Sequence, residues 1–220
     1  MALARKSKSG RSGSARKAQS RTVRTGTGSA KRISQKTIER EASLVAVELE
    51  RRDARLVLAE SCTGGMAAAA LTGIPGISKF FCGSLVVYRD ASKSGWLGID
   101  PALIEKNDAV SPETALAMAL RALDITKEAE ISASITGHLG PDAPAKQDGL
   151  IYIATAIRQA SGAAWTEVHK LQLPLQPRLN AAQRINSVRV AGLRRQRQML
   201  ASQQILRMVR ALLTASGSKF

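Results

Sequence analysis

From Ser34 onward the apolar positions fall into alternating helix-like and strand-like runs. Ile38, Ala42, Val45 and Leu49 recur at three- and four-residue spacings with charged residues between them, which predicts a helix. The run RLVLAES has strand length and ends at the polar cluster SCTGG. Met66 to Leu71 is alanine-rich and predicts a buried helix, closed by Gly73, Pro75 and Gly76. Lys79–Tyr88 is apolar on both faces, the pattern of a central strand. Asp90–Leu97 and Pro101–Lys106 read as short helices, and Ser111 caps a longer one to about Leu123, with Pro112 in its first turn. Ile131–Thr136 is a strand ending in Thr-Gly. Two further strands, at 149–157 and 165–173, are joined by a short link containing QASGA, which predicts an antiparallel hairpin. The segment from Pro177 to about Leu213 reads as an arginine-studded helix.

Strands separated by helices, each ending in a small polar cluster, predict a three-layer α/β/α sandwich with a mixed sheet. The first 35 residues break this pattern. They are rich in Ser, Gly, Lys and Arg, nearly lack large apolar residues, and are expected to be disordered. The expected division is thus a basic arm at 1–35, one domain at 36–214 and a short tail at 215–220.

Charge sharpens that division. The chain of 220 residues carries a formal net charge of +16, with ten basic and no acidic side chains in residues 1–35 and nine basic and none acidic in 171–220. All 17 acidic residues lie between them, so a near-neutral domain sits between two cationic ends. Three readings of the first arm stand: a tail with nonspecific affinity for nucleic acid or other polyanions, a solubility tail, and an organelle transit peptide. The last has too few apolar residues for an amphipathic face. On the final helix the arginines do not share one face, the distribution of a solvated surface. No apolar run is long enough for a membrane span. Cys62 and Cys82 can form no disulfide framework and lack metal-ligand spacing, so no metal is expected and a reducing, cytoplasmic setting is.

Three segments put polar groups at strand ends, where open α/β sheets place their sites. In Glu60-Ser61-Cys62-Thr63-Gly64-Gly65 a strand turns into a helix, so Ser61 is placed at a helix N-terminus whose N–H groups can stabilise negative charge. Thr63, Gly64 and Gly65 are candidate ligand contacts, the glycines allowing close backbone approach. The alternative is an ordinary capped turn. In Tyr88-Arg89-Asp90-Ala91-Ser92-Lys93, the phenol of Tyr88 and the amine of Lys93 can meet in one cleft, and a desolvated lysine is a competent base. The alternative is a core-edge tyrosine and a surface lysine. The third segment, Thr136-Gly137-His138-Leu139-Gly140-Pro141, offers His138 either as a catalytic group or as loop filler. Cys62 reads as a small buried apolar residue.

Together, AESCTGG, YRDASK with WLGI, AVSPETA, and TGHLGP with GLIYIA resemble the CinA C-terminal domain family over about residues 38–213. Its enzymatic members are nicotinamide-nucleotide amidohydrolases. The resemblance implies a cofactor-independent hydrolase that converts nicotinamide mononucleotide to nicotinate mononucleotide and ammonia. Ser61 would be the nucleophile, Lys93 the base, and Tyr88 the relaying or positioning partner. Thr136 and Gly137 would border the substrate, and Arg178 would serve its phosphate. YRDASK stands where the family usually has Y-S-N-E-A-K, and TGHLGPDAP where it has T-G-I-A-G-P-G-G-G. A homo-oligomer is also implied, with the apolar face of helix 38–49 as a natural contact. Two other readings stand beside this one: an inactive relative working as a nucleic-acid-associated binding protein, and a hydrolase of another small amide or nucleotide.

Overall fold

A computed structural model describes residues 20–22, 33–141, 143–144, 146–174 and 187–215. The strands are β1 (Ser20–Thr22), β2 (Leu56–Glu60), β3 (Phe81–Val86), β4 (Ile131–Gly137), β5 (Leu150–Arg158) and β6 (Ala164–Gln172). The helices are α1 (Gln35–Arg52), α2 (Met66–Thr72), α3 (Asp90–Leu97), α4 (Pro101–Asn107), α5 (Pro112–Ile125) and α6 (Ser187–Ala215). The sheet order is β1-β6-β5-β4-β2-β3. β3, β2 and β4 run parallel, whereas β4, β5 and β6 are antiparallel neighbours. The sheet is therefore mixed, as expected. The first arm was expected to lack structure throughout, yet its Ser20–Thr22 pairs parallel with β6. The rest of residues 1–32 lies outside the described residues.

Strand alternation splits the core in two. Leu56 and Leu58 of β2, with Ile151, Ile153 and Ile157 of β5, face a layer made by α1, α2 and α6. Val57 and Ala59, with Tyr152, Ala154 and Ala156, face α3, α4 and α5. The second face is built from small residues: Ala115, Ala119 and Ala122 of α5 pack there fully buried. Ser132 Oγ donates to the Ala119 carbonyl (2.7 Å) and Ser134 Oγ to the Ala115 carbonyl (2.5 Å). Hydroxyls buried in an apolar layer need acceptors, and the carbonyl row of a helix seated close to the strand supplies them.

Two expectations are corrected. β3 is an edge strand of the described sheet, not a central one. Its apolar side chains meet helix layers on both faces without a strand on both sides, and four of its six residues are half-buried. The apolar stripe of α1 is not an oligomer contact either. Ile38, Ala42, Val45 and Leu49 are fully buried in the core that α1 shares with α2 and α6.

The α4–α5 link carries backbone strain. Asp108 sits at φ 77°, ψ 152°, outside the regions open to residues with a Cβ. It is held there because its carbonyl accepts hydrogen bonds from Ser111 Oγ (2.9 Å) and Thr114 Oγ1 (2.7 Å), while Ser111 Oγ accepts from the Thr114 N–H (3.1 Å) to cap α5. Asp108→Gly keeps every one of these bonds and removes the strain. It is expected to raise stability by about 1 kcal/mol in urea denaturation, with an unchanged denaturant slope.

Candidate functional site

Because β2, β3 and β4 are parallel, their C-terminal ends lie at the same edge of the sheet. An open cleft of about 550 Å³ occupies that edge, lined by Ser61, Cys62, Tyr88, Asp90 and Lys93. The loop 136–141, including Thr136, Gly137 and His138, forms its opposite wall, and Arg194 reaches in from α6. The fold thus brings Ser61, Tyr88, Lys93, Thr136 and Gly137, named from the sequence, to one hollow. A neighbouring hollow of about 680 Å³ between α3 and α4 shares Asp90 and Ala109 with it but contains neither Ser61 nor Lys93.

The corner that presents Ser61 is built on Glu60. This side chain is fully buried, and its carboxylate accepts from Thr63 Oγ1 (2.6 Å), the Ala67 N–H (3.2 Å), the Ala68 N–H (2.9 Å) and Ser84 Oγ (3.2 Å). α2 begins at Met66 after a turn over 61–65, so Ser61 lies a full turn before the helix. The expectation that helix-start N–H groups face the ligand is corrected: those of Ala67 and Ala68 are bonded to Glu60 instead. Thr63 is buried with its hydroxyl on the same carboxylate, and Gly64 and Gly65 take φ values of 64° and 88° to turn the chain. These three residues shape the corner and do not line the cleft.

Ser61 is buried, with its N–H on the Ile135 carbonyl (3.0 Å). Its Oγ makes no hydrogen bond among the described residues. Lys93 is 2% exposed, and its Nζ donates to Asp90 Oδ1 (3.1 Å), not to Ser61. Asp90 itself is largely solvated. Tyr88 is exposed at the rim, its hydroxyl accepting from Arg194 Nη2 (2.9 Å). Arg194 Nη1 donates to the Gly140 carbonyl (2.5 Å), so one guanidinium bridges both walls. Thr136 Oγ1 donates to the Ala109 carbonyl (2.8 Å), which ties β4 to the cleft floor. Gly137 has a packing reason: an added Cβ would lie 2.5 Å from Ile151 Cγ2 and 2.8 Å from the Leu150 carbonyl. Burial, reinforced by the Glu60 carboxylate, pushes the Cys62 thiol up to about 12, so it has no useful thiolate near neutrality. Arg178 lies outside the described residues. Among them, no cluster of His, Cys, Asp and Glu could hold a metal ion, and no helix is long and apolar enough to cross a membrane.

The expected solvated arginine surface on α6 is corrected in part. Arg197 is 1% exposed and donates through both terminal nitrogens to Asp148, one of these contacts being very short. Arg207 and Arg210 pair with the buried Glu41 of α1 at 3.2 and 3.3 Å. Arg195 is exposed, as expected. Arg194 is the site residue that sequence reasoning missed, since nothing local ties it to a strand end more than a hundred positions away.

Residues 38–188 match the family model of the CinA C-terminal domain. A CinA-like protein of Myxococcus xanthus is 42% identical over 115 residues, covering 51% of this chain and 27% of that protein. A putative competence-damage inducible protein of Halothermothrix orenii is 42% identical over 110 residues, covering 49% and 26%. The matches thus span about a quarter of the length of these curated relatives. Among solved structures, the competence or damage-inducible protein from Enterobacter asburiae aligns with TM-score 0.63 and 27% identity over 80% of this chain and 98% of that one. The competence/damage inducible protein CihA from Agrobacterium tumefaciens aligns with TM-score 0.62 and 28% identity over 80% and 95%.

Two measurements check the supports of the cleft. Glu60→Gln places an amide NH2 among four donors and is expected to cost about 2 kcal/mol or more in chemical denaturation. The second concerns Asp148, whose carboxyl the hydrogen-bonding Arg197 guanidinium holds below its ordinary range. A depressed carboxyl contributes stability that is complete above its unfolded-state pKa and is lost as pH falls through the folded one. Stability should therefore fall on acidification below about pH 4, and Asp148→Asn should make that slope shallower in denaturant titrations run across pH.

Proposed function

Since the chain belongs to the CinA C-terminal domain family, we propose that it is a serine amidohydrolase acting on the carboxamide of a pyridine mononucleotide, with nicotinamide mononucleotide as substrate. The observation that carries this reading is the shared cleft of Ser61, Lys93 and Tyr88 at the ends of parallel strands. A primary amide is a poor electrophile and a serine hydroxyl a poor nucleophile, so the reaction needs a base close to the serine. Ser61 Oγ attacks the carboxamide carbon while its proton passes to Lys93. The C–N bond then breaks, the leaving nitrogen takes that proton and departs as ammonia, and an ester to Ser61 remains. Water attacks the ester, giving up a proton to Lys93, and the carboxylate product leaves as the proton returns to Ser61. Tyr88, at the rim beside them, orients or relays. Burial of Ser61 and Lys93 keeps competing water away from the nucleophile and its base.

Lys93 donates to Asp90, and the proposed reaction requires it to turn toward Ser61 when the substrate is bound. Such tightening in the substrate complex is ordinary for catalytic hydrogen bonds. The reading as a nucleic-acid-associated module gains no support from α6, where Arg194, Arg197, Arg207 and Arg210 all have partners within the chain.

The purified chain is expected to release ammonia from nicotinamide mononucleotide in a coupled glutamate dehydrogenase assay. Ser61→Ala should abolish the release, and Lys93→Ala should lower kcat by about a hundredfold or more. A well-folded wild-type chain that releases no ammonia from any pyridine nucleotide refutes the substrate.

A further inference from the structure

Arg194 is the one described residue of α6 that touches both walls of the cleft. Its Nη2 donates to the Tyr88 hydroxyl at 2.9 Å and its Nη1 to the Gly140 carbonyl at 2.5 Å. A planar fork can satisfy two acceptors set apart in this way, and an ammonium on a flexible stem cannot do so with the same geometry. The neighbouring turn of α6 is pinned independently. Arg197 holds Asp148 and the Pro174 carbonyl, and Gln198 Nε2 lies 3.4 Å from the Cys62 carbonyl. The helix that carries Arg194 is therefore fixed to both sides of the cleft, and the guanidinium has a defined station.

The bond to Tyr88 has a chemical consequence. A phenol oxygen that accepts from a guanidinium keeps its own proton for another acceptor, so the Tyr88 O–H remains available as a donor at the rim of the cleft that Ser61 and Lys93 also line. Tyr88 is exposed, so the hydrogen bond from the guanidinium is a restraint that burial does not supply. We propose that Arg194 is the positioning residue of the nucleophilic group, acting through Tyr88 to set the reactivity of Ser61. The inference rests on the serine-hydrolase reading but not on the identity of the substrate.

An alkyl fluorophosphonate tests it without any substrate. Ser61 Oγ forms the bond to phosphorus, the P–F bond breaks, fluoride leaves, and the serine proton goes to the basic partner. Labelling rates are measured by intact mass, with the peptide containing Ser61 identified after digestion. Wild type is expected to be labelled at Ser61. Arg194→Met should label more slowly by about tenfold or more, the size of a lost charge-assisted hydrogen bond. Arg194→Lys should recover part of that loss. Tyr88→Phe should also slow labelling, and adding Arg194→Met to it should change the rate by less than about twofold, since the two act as one unit. In the ammonia assay, kcat should fall in Arg194→Met while KM moves by less than about threefold. Thermal melts of both Arg194 variants show that they fold, and the Lys variant serves if the Met variant does not.

The inference is overturned if wild type is not labelled, if Arg194→Met labels at the wild-type rate, if the effects of the two substitutions multiply, or if KM rises with kcat unchanged. Labelling that follows the expected pattern without ammonia release from any pyridine nucleotide supports the inference and removes only the substrate.

Discussion

A carboxylate with no ion-pair partner among the described residues holds the corner on which the site depends. Glu60 receives four hydrogen bonds, from the start of α2, from the turn and from β3, and so welds three elements where the sheet ends. The two backbone donors are the first exposed N–H groups of a helix, which favour an anion on both hydrogen-bonding and dipole grounds. Ser61 is the next residue in the chain. Its backbone is bonded on the other side to Ile135 of β4, so its position is set from both flanks before any ligand arrives. Two sets of hydrogen bonds thus hold this part of the cleft wall in place.

Much of this architecture was legible in the sequence. Helical spacing marked α1, proline and serine marked the start of α5, and the polar clusters at 61–65, 88–93 and 136–141 marked the strand ends where the cleft lies. Side-chain patterns report burial, however, and burial does not report strand order. The apolar run of β3 has the pattern of a central strand because helices cover it above and below, although only one strand flanks it. Glu60 was read as part of a chemical motif, since a sequence cannot show that an acid faces inward to cap a helix. The same limit hid Arg194 and Arg197, whose partners at 88, 140 and 148 are tens of positions away.

The charge of the chain also reads differently once its geometry is known. The excess of arginine in the last fifty residues read as a solvated helix surface. Within α6, several of those cations neutralise carboxylates on α1 and on the β4–β5 loop, and Arg197 does so nearly out of contact with solvent. A buried pair of this sort adds little net stability over an apolar contact, but it fixes register, because either charge left alone is costly. Here it fixes the rotation of the helix that carries Arg194.

The serine hydroxyls on the far side of the sheet have a mechanical consequence. Ser132 and Ser134 sit two residues apart on β4 and grip carbonyls one turn apart on α5, so the helix can neither slide nor roll against its strand. The segment entering that helix, at 109–110, lines the same cleft as Ser61 and is itself tethered to β4 through Thr136. Strand and helix thus act as a splint for the hollow, and how closely the two can sit depends on thin side chains in a layer that does not line it.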